Sequence, residues 1–210
     1  VDTEKTAFES WQDVFRSHGA RLDFSDWARD IGTAGQFDPI ADLERQTGRK
    51  FDATETRAKA RQLEDQKNAL MELLPGVVER LDEAVALGLR VGLASSASER
   101  WVLGHLAARG IAGRFHAVKT RNQVPRLKPA PDLFLAVAGA LGVAASECVA
   151  LEDSPNGIAS ARAAGMFCVA VPNEITRTLD LSGADMQVPS LARLSLAEVA
   201  RRMDGKGGPA

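Results

Sequence analysis

Short apolar runs alternate with helical patterns through the second half of the chain. This alternation constrains the fold more than any other feature. Leu89-Arg90-Val91-Gly92-Leu93-Ala94, Cys148-Val149-Ala150-Leu151 and Phe167-Cys168-Val169-Ala170-Val171 are the clearest runs. Phe115 to Val118 and Met186 to Val188 are weaker ones. Helical patterns lie between or beside them, at Val77 to Leu87, Glu99 to Ala108, Asp132 to Leu141 and Pro155 to Ala164. Short strands with little polar alternation, separated by helices, imply parallel βαβ units covered on both faces. Their crossovers are expected to be right-handed.

The first part reads differently. Ala7 to Ser17, Phe24 to Ile31, Pro39 to Gln46 and the highly charged Thr54 to Leu74 all carry helical patterns. They are closed by His18-Gly19, Gly32, Thr47-Gly48 and Pro75-Gly76 in turn, residues that stop helices. A small helical domain ahead of an α/β domain is therefore expected. The glycine-rich stretch after Lys206 reads as a frayed, flexible tail over 206–210.

Composition narrows the function. The 210 residues include 26 basic and 28 acidic side chains, a formal net charge of −2. Such a balance gives no electrostatic footprint for nucleic acid or an anionic membrane. The longest apolar run, Leu133 to Ala145, is 13 residues, too short to span a bilayer. Cys148 and Cys168 form no CxxC pair, so a reducing cytoplasmic setting is the expectation, with the chain a monomer. His18, His105 and His116 match no zinc spacing.

Open parallel sheets bind ligands beyond the carboxyl ends of their strands. Ser95 and Ser96 follow the first run, Lys119 and Thr120 follow Val118, and Glu152, Asp153 and Ser154 follow Leu151. Ser96-Ala97-Ser98-Glu99 fits a capping box with Ser96 as N-cap, which would make the helix start an anion site beside the Ser95 hydroxyl. It would equally serve as a simple cap. The adjacent carboxylates Glu152 and Asp153 suit Mg²⁺, or else an acidic helix start. Ser154 reads as N-cap and Pro155 as the first helical residue. Lys128 sits in the stiff segment Lys128-Pro129-Ala130-Pro131-Asp132, with Asp132 expected to cap the next helix, and is either a held cation or a solvated lysine. Gly32-Thr33-Ala34-Gly35 is either a loop over a pocket or a turn.

In order, Leu93-Ala94-Ser95-Ser96, Lys128-Pro129-Ala130-Pro131-Asp132 and Leu151-Glu152-Asp153-Ser154-Pro155-Asn156-Gly157 resemble the second, third and fourth motifs of the haloacid dehalogenase superfamily. The helical segment after Thr3 resembles the cap of its β-phosphoglucomutase-like subgroup. The resemblance implies a Rossmann-like core (1–5 and 75–205) with an inserted helical cap (6–74), in which Gly32 and Thr33 would meet substrate. It implies that Ser95 and the Ser96 N–H bind phosphoryl oxygens and that Lys128 neutralises charge. Glu152 and Asp153 would hold Mg²⁺, and the substrate would be a small phosphorylated metabolite. Val1-Asp2-Thr3-Glu4 resembles only the end of the family's first motif. The first core strand, the nucleophilic aspartate and the acid/base aspartate are thus expected to be missing. The chain as written is then expected to be inactive by the aspartyl-phosphate route.

Within the resemblance, a Mg²⁺-dependent phosphatase acting on a metabolite such as a sugar phosphate is the first reading. A phosphosugar mutase is the second, but Ala7 and the Gly32–Gly35 loop stand where mutases carry a His and an Arg. Dehalogenation fits poorly with the Glu152-Asp153 pair. A non-catalytic phosphoryl-binding protein is the third reading.

Overall fold

The computed structural model describes residues 2–27 and 37–206. The chain divides into two compact units, Val1–Glu72 and Leu73–Ala210. Among the described residues, no helix is long and apolar enough to cross a membrane.

The first unit is helical, with α1 Thr3–Ser17, α2 Phe24–Trp27, α3 Pro39–Thr47 and α4 Ala53–Ala69. Asp2 caps α1 by accepting from the Lys5 N–H at 3.2 Å, and Asp38 and Asp52 cap α3 and α4 in the same way. Thr3, Glu4 and Lys5, grouped with the core by the resemblance, thus form the first turn of α1. Phe15 and Leu43 are fully buried, each worth about 1.5–3 kcal/mol of transfer free energy. A buried hydrogen bond from Thr6 Oγ1 to Asn68 Oδ1 (2.7 Å) ties α1 to α4. Gly32 and Thr33 lie outside the described residues, as does the end of the helix expected to reach Ile31.

The second unit runs α5 Val77–Ala86, β1 Gly92–Ala94, α6 Glu99–Ala108, β2 Ala117–Lys119, α7 Asp132–Leu141, β3 Val149–Glu152, α8 Pro155–Ala163, β4 Phe167–Ala170, β5 Met186–Gln187 and α9 Leu196–Lys206. All strand pairings are parallel. They form two sheets, β1-β2 and β3-β4-β5, and β1 and β3 are not paired to each other. Strand β4 is central in its sheet and buried along its whole length, which explains its unbroken apolar sequence. On one face Ala150, Cys168 and Ala170 pack with Phe134 of α7 and Ile158 of α8. On the other, Phe167 and Val169 pack with Val188, Leu194 and Val199. Gly76 enters α5 at φ +91°, and a Cβ there would lie 2.1 Å from the Ala192 nitrogen, so both conformation and space call for glycine.

Two local expectations fail. Helix α6 is capped by Ser98, not Ser96. The Glu99 N–H donates to Asn122 Oδ1 (3.0 Å), and the Glu99 carboxylate accepts from Gln123 Nε2 (2.9 Å), so partners beyond β2 replace the capping box. Asp132 is the first residue of α7 rather than its cap, and its carboxylate pairs with Arg126 at 2.9 Å.

Candidate active site

The carboxyl ends of β1 and β3 bring the predicted residues together. Ser95 continues β1, its N–H donating to the Lys119 carbonyl at 2.9 Å. Its Oγ accepts from the Ala97 N–H at 3.1 Å, which folds the chain back after the strand and leaves the hydroxyl proton for an acceptor. The Ser96 carbonyl accepts from Arg121 Nε at 2.9 Å.

Lys128 links the two strand ends. Its Nζ donates to the Ala94 carbonyl at 3.2 Å and forms an ion pair with Glu152. It also lies 4.8 Å from the centroid of the Phe134 ring. The two side chains are 15% and 8% exposed, so the pair is largely withdrawn from water. A buried pair of this kind owes its existence to mutual compensation, since either charge alone would be costly.

Glu152 ends β3 and is held from several sides. Ser154 Oγ lies 3.4 Å from its Oε2, and Ser154 caps α8 by accepting from the Gly157 N–H at 3.1 Å. A Cβ on Gly157 would stand 1.7 Å from that Oε2. Glycine at this place is what lets the helix start close against the carboxylate. Asp153 follows, and its Oδ2 accepts from Asn173 Nδ2 at 2.9 Å.

Asn173 is a site residue that the motifs do not point to. It lies just after β4, at the same edge as the others. Its Oδ1 accepts from the Ile175 and Thr176 N–H groups (2.9 and 2.7 Å), which fixes the amide with Nδ2 toward Asp153. A sequence signal for it exists, because Pro172-Asn173 follows the apolar run from Phe167 as Ser95 follows Ala94.

Other candidates take structural roles. Thr120 is fully buried and bonds through N–H and hydroxyl to Gln123 Oε1, both at 2.6 Å. His116 Nδ1 accepts from the Val91 N–H at 3.1 Å, and His105 packs at a tilt against Trp101 with centroids 4.1 Å apart. The Cys168 thiol is pushed up to about 12, first by burial and then by the carboxylates of Glu152 and Asp185, so it stays protonated near neutrality.

The donor set limits which metal the site could hold. Among the described residues, no three His, Cys, Asp or Glu side chains converge. Two neighbouring carboxylates of hard oxygen remain, one of them already facing Lys128. This set suits a hard divalent cation that keeps most of its water, and does not suit a soft or fully protein-ligated metal.

Residues 1–171 match the model of the haloacid dehalogenase-like hydrolases. The chain belongs to this family. It is 41% identical over 197 residues to YhcW of Bacillus subtilis (strain 168), a relative whose name classes it with phosphatases. That match spans 94% of this chain and 90% of YhcW. It is 32% identical to CbbY of Rhodobacter capsulatus, across 88% of this chain and 78% of that protein. The crystal structure of CbbY from Rhodobacter sphaeroides in complex with xylulose-1,5-bisphosphate matches with a TM-score of 0.72 at 26% identity, over 93% and 91% of the two chains. As a haloacid dehalogenase-like hydrolase, the chain is placed among phosphatases and phosphosugar enzymes.

Proposed function

We propose that this protein serves Mg²⁺-dependent hydrolysis of a small phosphate monoester, of the sugar-phosphate class. The observation that carries the reading is the meeting of Ser95, Lys128, Glu152 and Asp153 at two strand ends, with Lys128 bonded to both. The xylulose-1,5-bisphosphate held by the CbbY crystal structure supports the substrate class.

The roles follow from chemistry. The Ser95 hydroxyl and the Ser96 N–H donate to phosphoryl oxygens. Lys128 places a cation beside them, fixed by the Glu152 carboxylate rather than left to swing in solvent. Asp153, steadied by Asn173, would hold Mg²⁺ together with water, and Glu152 would reach it directly or through water. When bound, the metal ion offsets phosphoryl charge. Fixed donors and charges of this kind supply most of the catalysis in phosphoryl transfer. The route through an aspartyl-phosphate belongs to the proposal, and no aspartate of this chain is assigned the attacking role.

By the family resemblance Ala7 stands where the mutases carry a His, and this departure favours hydrolysis over a mutase. The test is a binding panel of hexose and pentose phosphates against their free sugars, by calorimetry with Mg²⁺. Saturable binding of the phosphates alone is expected. Equal binding of the free sugars would overturn the reading.

A further inference from the structure

The turn that carries Ser95 is gripped by a short 3₁₀ turn, Arg121–Gln123, which follows β2. The Arg121 N–H donates to the Ala97 carbonyl at 3.2 Å, and Arg121 Nε donates to the Ser96 carbonyl at 2.9 Å. Asn122 and Gln123 hold Glu99 at the start of α6. Thr120, fully buried, anchors the segment through its bonds to Gln123. The carbonyls of Ser96 and Ala97 are therefore spent on residue 121. Among the described residues, the Ser96 N–H meets no acceptor. Acceptors are turned away from the phosphoryl side of this turn, and a donor is kept for it.

One peptide plane in the turn is held at both ends. The Ser96–Ala97 peptide has its carbonyl on Arg121 Nε and its N–H on Ser95 Oγ, at 2.9 and 3.1 Å. The donors form a chain that runs one way. Arg121 Nε–H points to the carbonyl, the Ala97 N–H points to Oγ, and the Ser95 O–H points onward to an acceptor. Each bond in such a chain polarises the next. The first is charge-assisted, so it is the strongest source of that polarisation. With one lone pair of Oγ taken by Ala97, the hydroxyl proton is directed away from that residue. A flipped Ser96–Ala97 peptide would instead set a carbonyl oxygen beside Ser95 and repel an anion. The bond from Arg121 opposes that flip.

The guanidinium is exposed, so water and salt screen its through-space pull on an anion. Its directed bond is the stronger means of action. Arg126, in the same connection, is spent differently, on Asp132. We propose that Arg121 is a positioning residue for Ser95, acting through the Ser96–Ala97 peptide to set the hydroxyl as an anion donor. The inference rests on the reading of Ser95 as a phosphoryl ligand.

The test titrates inorganic phosphate, with Mg²⁺ present, into the whole 210-residue chain by calorimetry. The parent, Arg121→Met, Ser95→Ala and the double variant are compared. Methionine keeps the backbone bond to Ala97 but brings no donor and no charge. Arg121→Met is expected to weaken phosphate binding roughly fivefold when Ser95 is present. It should have little effect once Ser95 is alanine, because the chain then ends on no hydroxyl. Amide exchange without phosphate gives a second readout. The Ala97 N–H should exchange faster in Arg121→Met, while the Val102 N–H, bonded to the Ser98 carbonyl at 3.0 Å, exchanges as in the parent. Phosphate affinity untouched by Arg121→Met, or weakened equally in both backgrounds, would overturn the inference and leave Ser95 in the site. An Ala97 amide as slow in the variant as in the parent would also overturn it. Phosphate affinity untouched by Ser95→Ala would overturn the site reading and the inference with it.

Discussion

Asn173 Nδ2 donates to Asp153 Oδ2 at 2.9 Å, across the ends of two neighbouring strands. The same amide's oxygen accepts two backbone N–H groups, so its orientation is fixed by the turn and not by Asp153. Asn173→Asp keeps the turn acceptor and sets a second carboxylate against Asp153. Without metal, the variant is expected to lose about 1–2 kcal/mol in urea unfolding. Its melting temperature should rise more on adding Mg²⁺ than that of the parent. An equal Mg²⁺ response would remove Asp153 from the metal site.

Gly157→Ala separates helix propensity from close approach. Alanine is the better helix former by about 1 kcal/mol. The Glu152 carboxylate occupies the space its Cβ needs. The variant is expected to lose about 2–4 kcal/mol in denaturant unfolding. A stabilised protein would show that Glu152 does not sit against α8.

Lys128→Met leaves Glu152 without its partner in a largely buried place. The loss should be about 3–5 kcal/mol. Adding Glu152→Gln should restore a good part of it, because the stranded charge is gone. A double-mutant cycle with strictly additive effects would show that the pair is not coupled.

Cys168 makes stability depend on alkaline pH. Its folded thiol is pushed up to about 12, above the 9.0 of an unperturbed thiol. The folded protein therefore keeps this proton where the unfolded chain releases it. The contribution is complete below pH 9.0 and is lost as pH rises toward about 12. Urea midpoints should fall across that window, and Cys168→Ala should flatten the fall. An unchanged slope would contradict the burial assigned to Cys168.

The parallel core is legible in the sequence because β4 is buried along its whole length, which forces apolar residues in succession. Ser154-Pro155 is equally legible, since a hydroxyl before proline leaves little other than a helix start. The Ser96 capping box misleads because the partners that replace it, Asn122 and Gln123, are distant in sequence and arrive only with the fold. Helix α9 emerges only in the structure, although Val199 is nearly fully buried. The Lys128–Glu152 pair has no local signature, because no short pattern joins residues on separate strand ends.

The central claim is that Ser95, Lys128 and Asp153 form one phosphoryl and metal site. It is tested most directly by calorimetric titration of inorganic phosphate with and without Mg²⁺, on the parent and on Ser95→Ala. The account predicts that Mg²⁺ tightens phosphate binding in the parent. It also predicts that removing the Ser95 hydroxyl weakens binding about tenfold while the fold is kept. Phosphate binding that ignores both Mg²⁺ and Ser95 would contradict it.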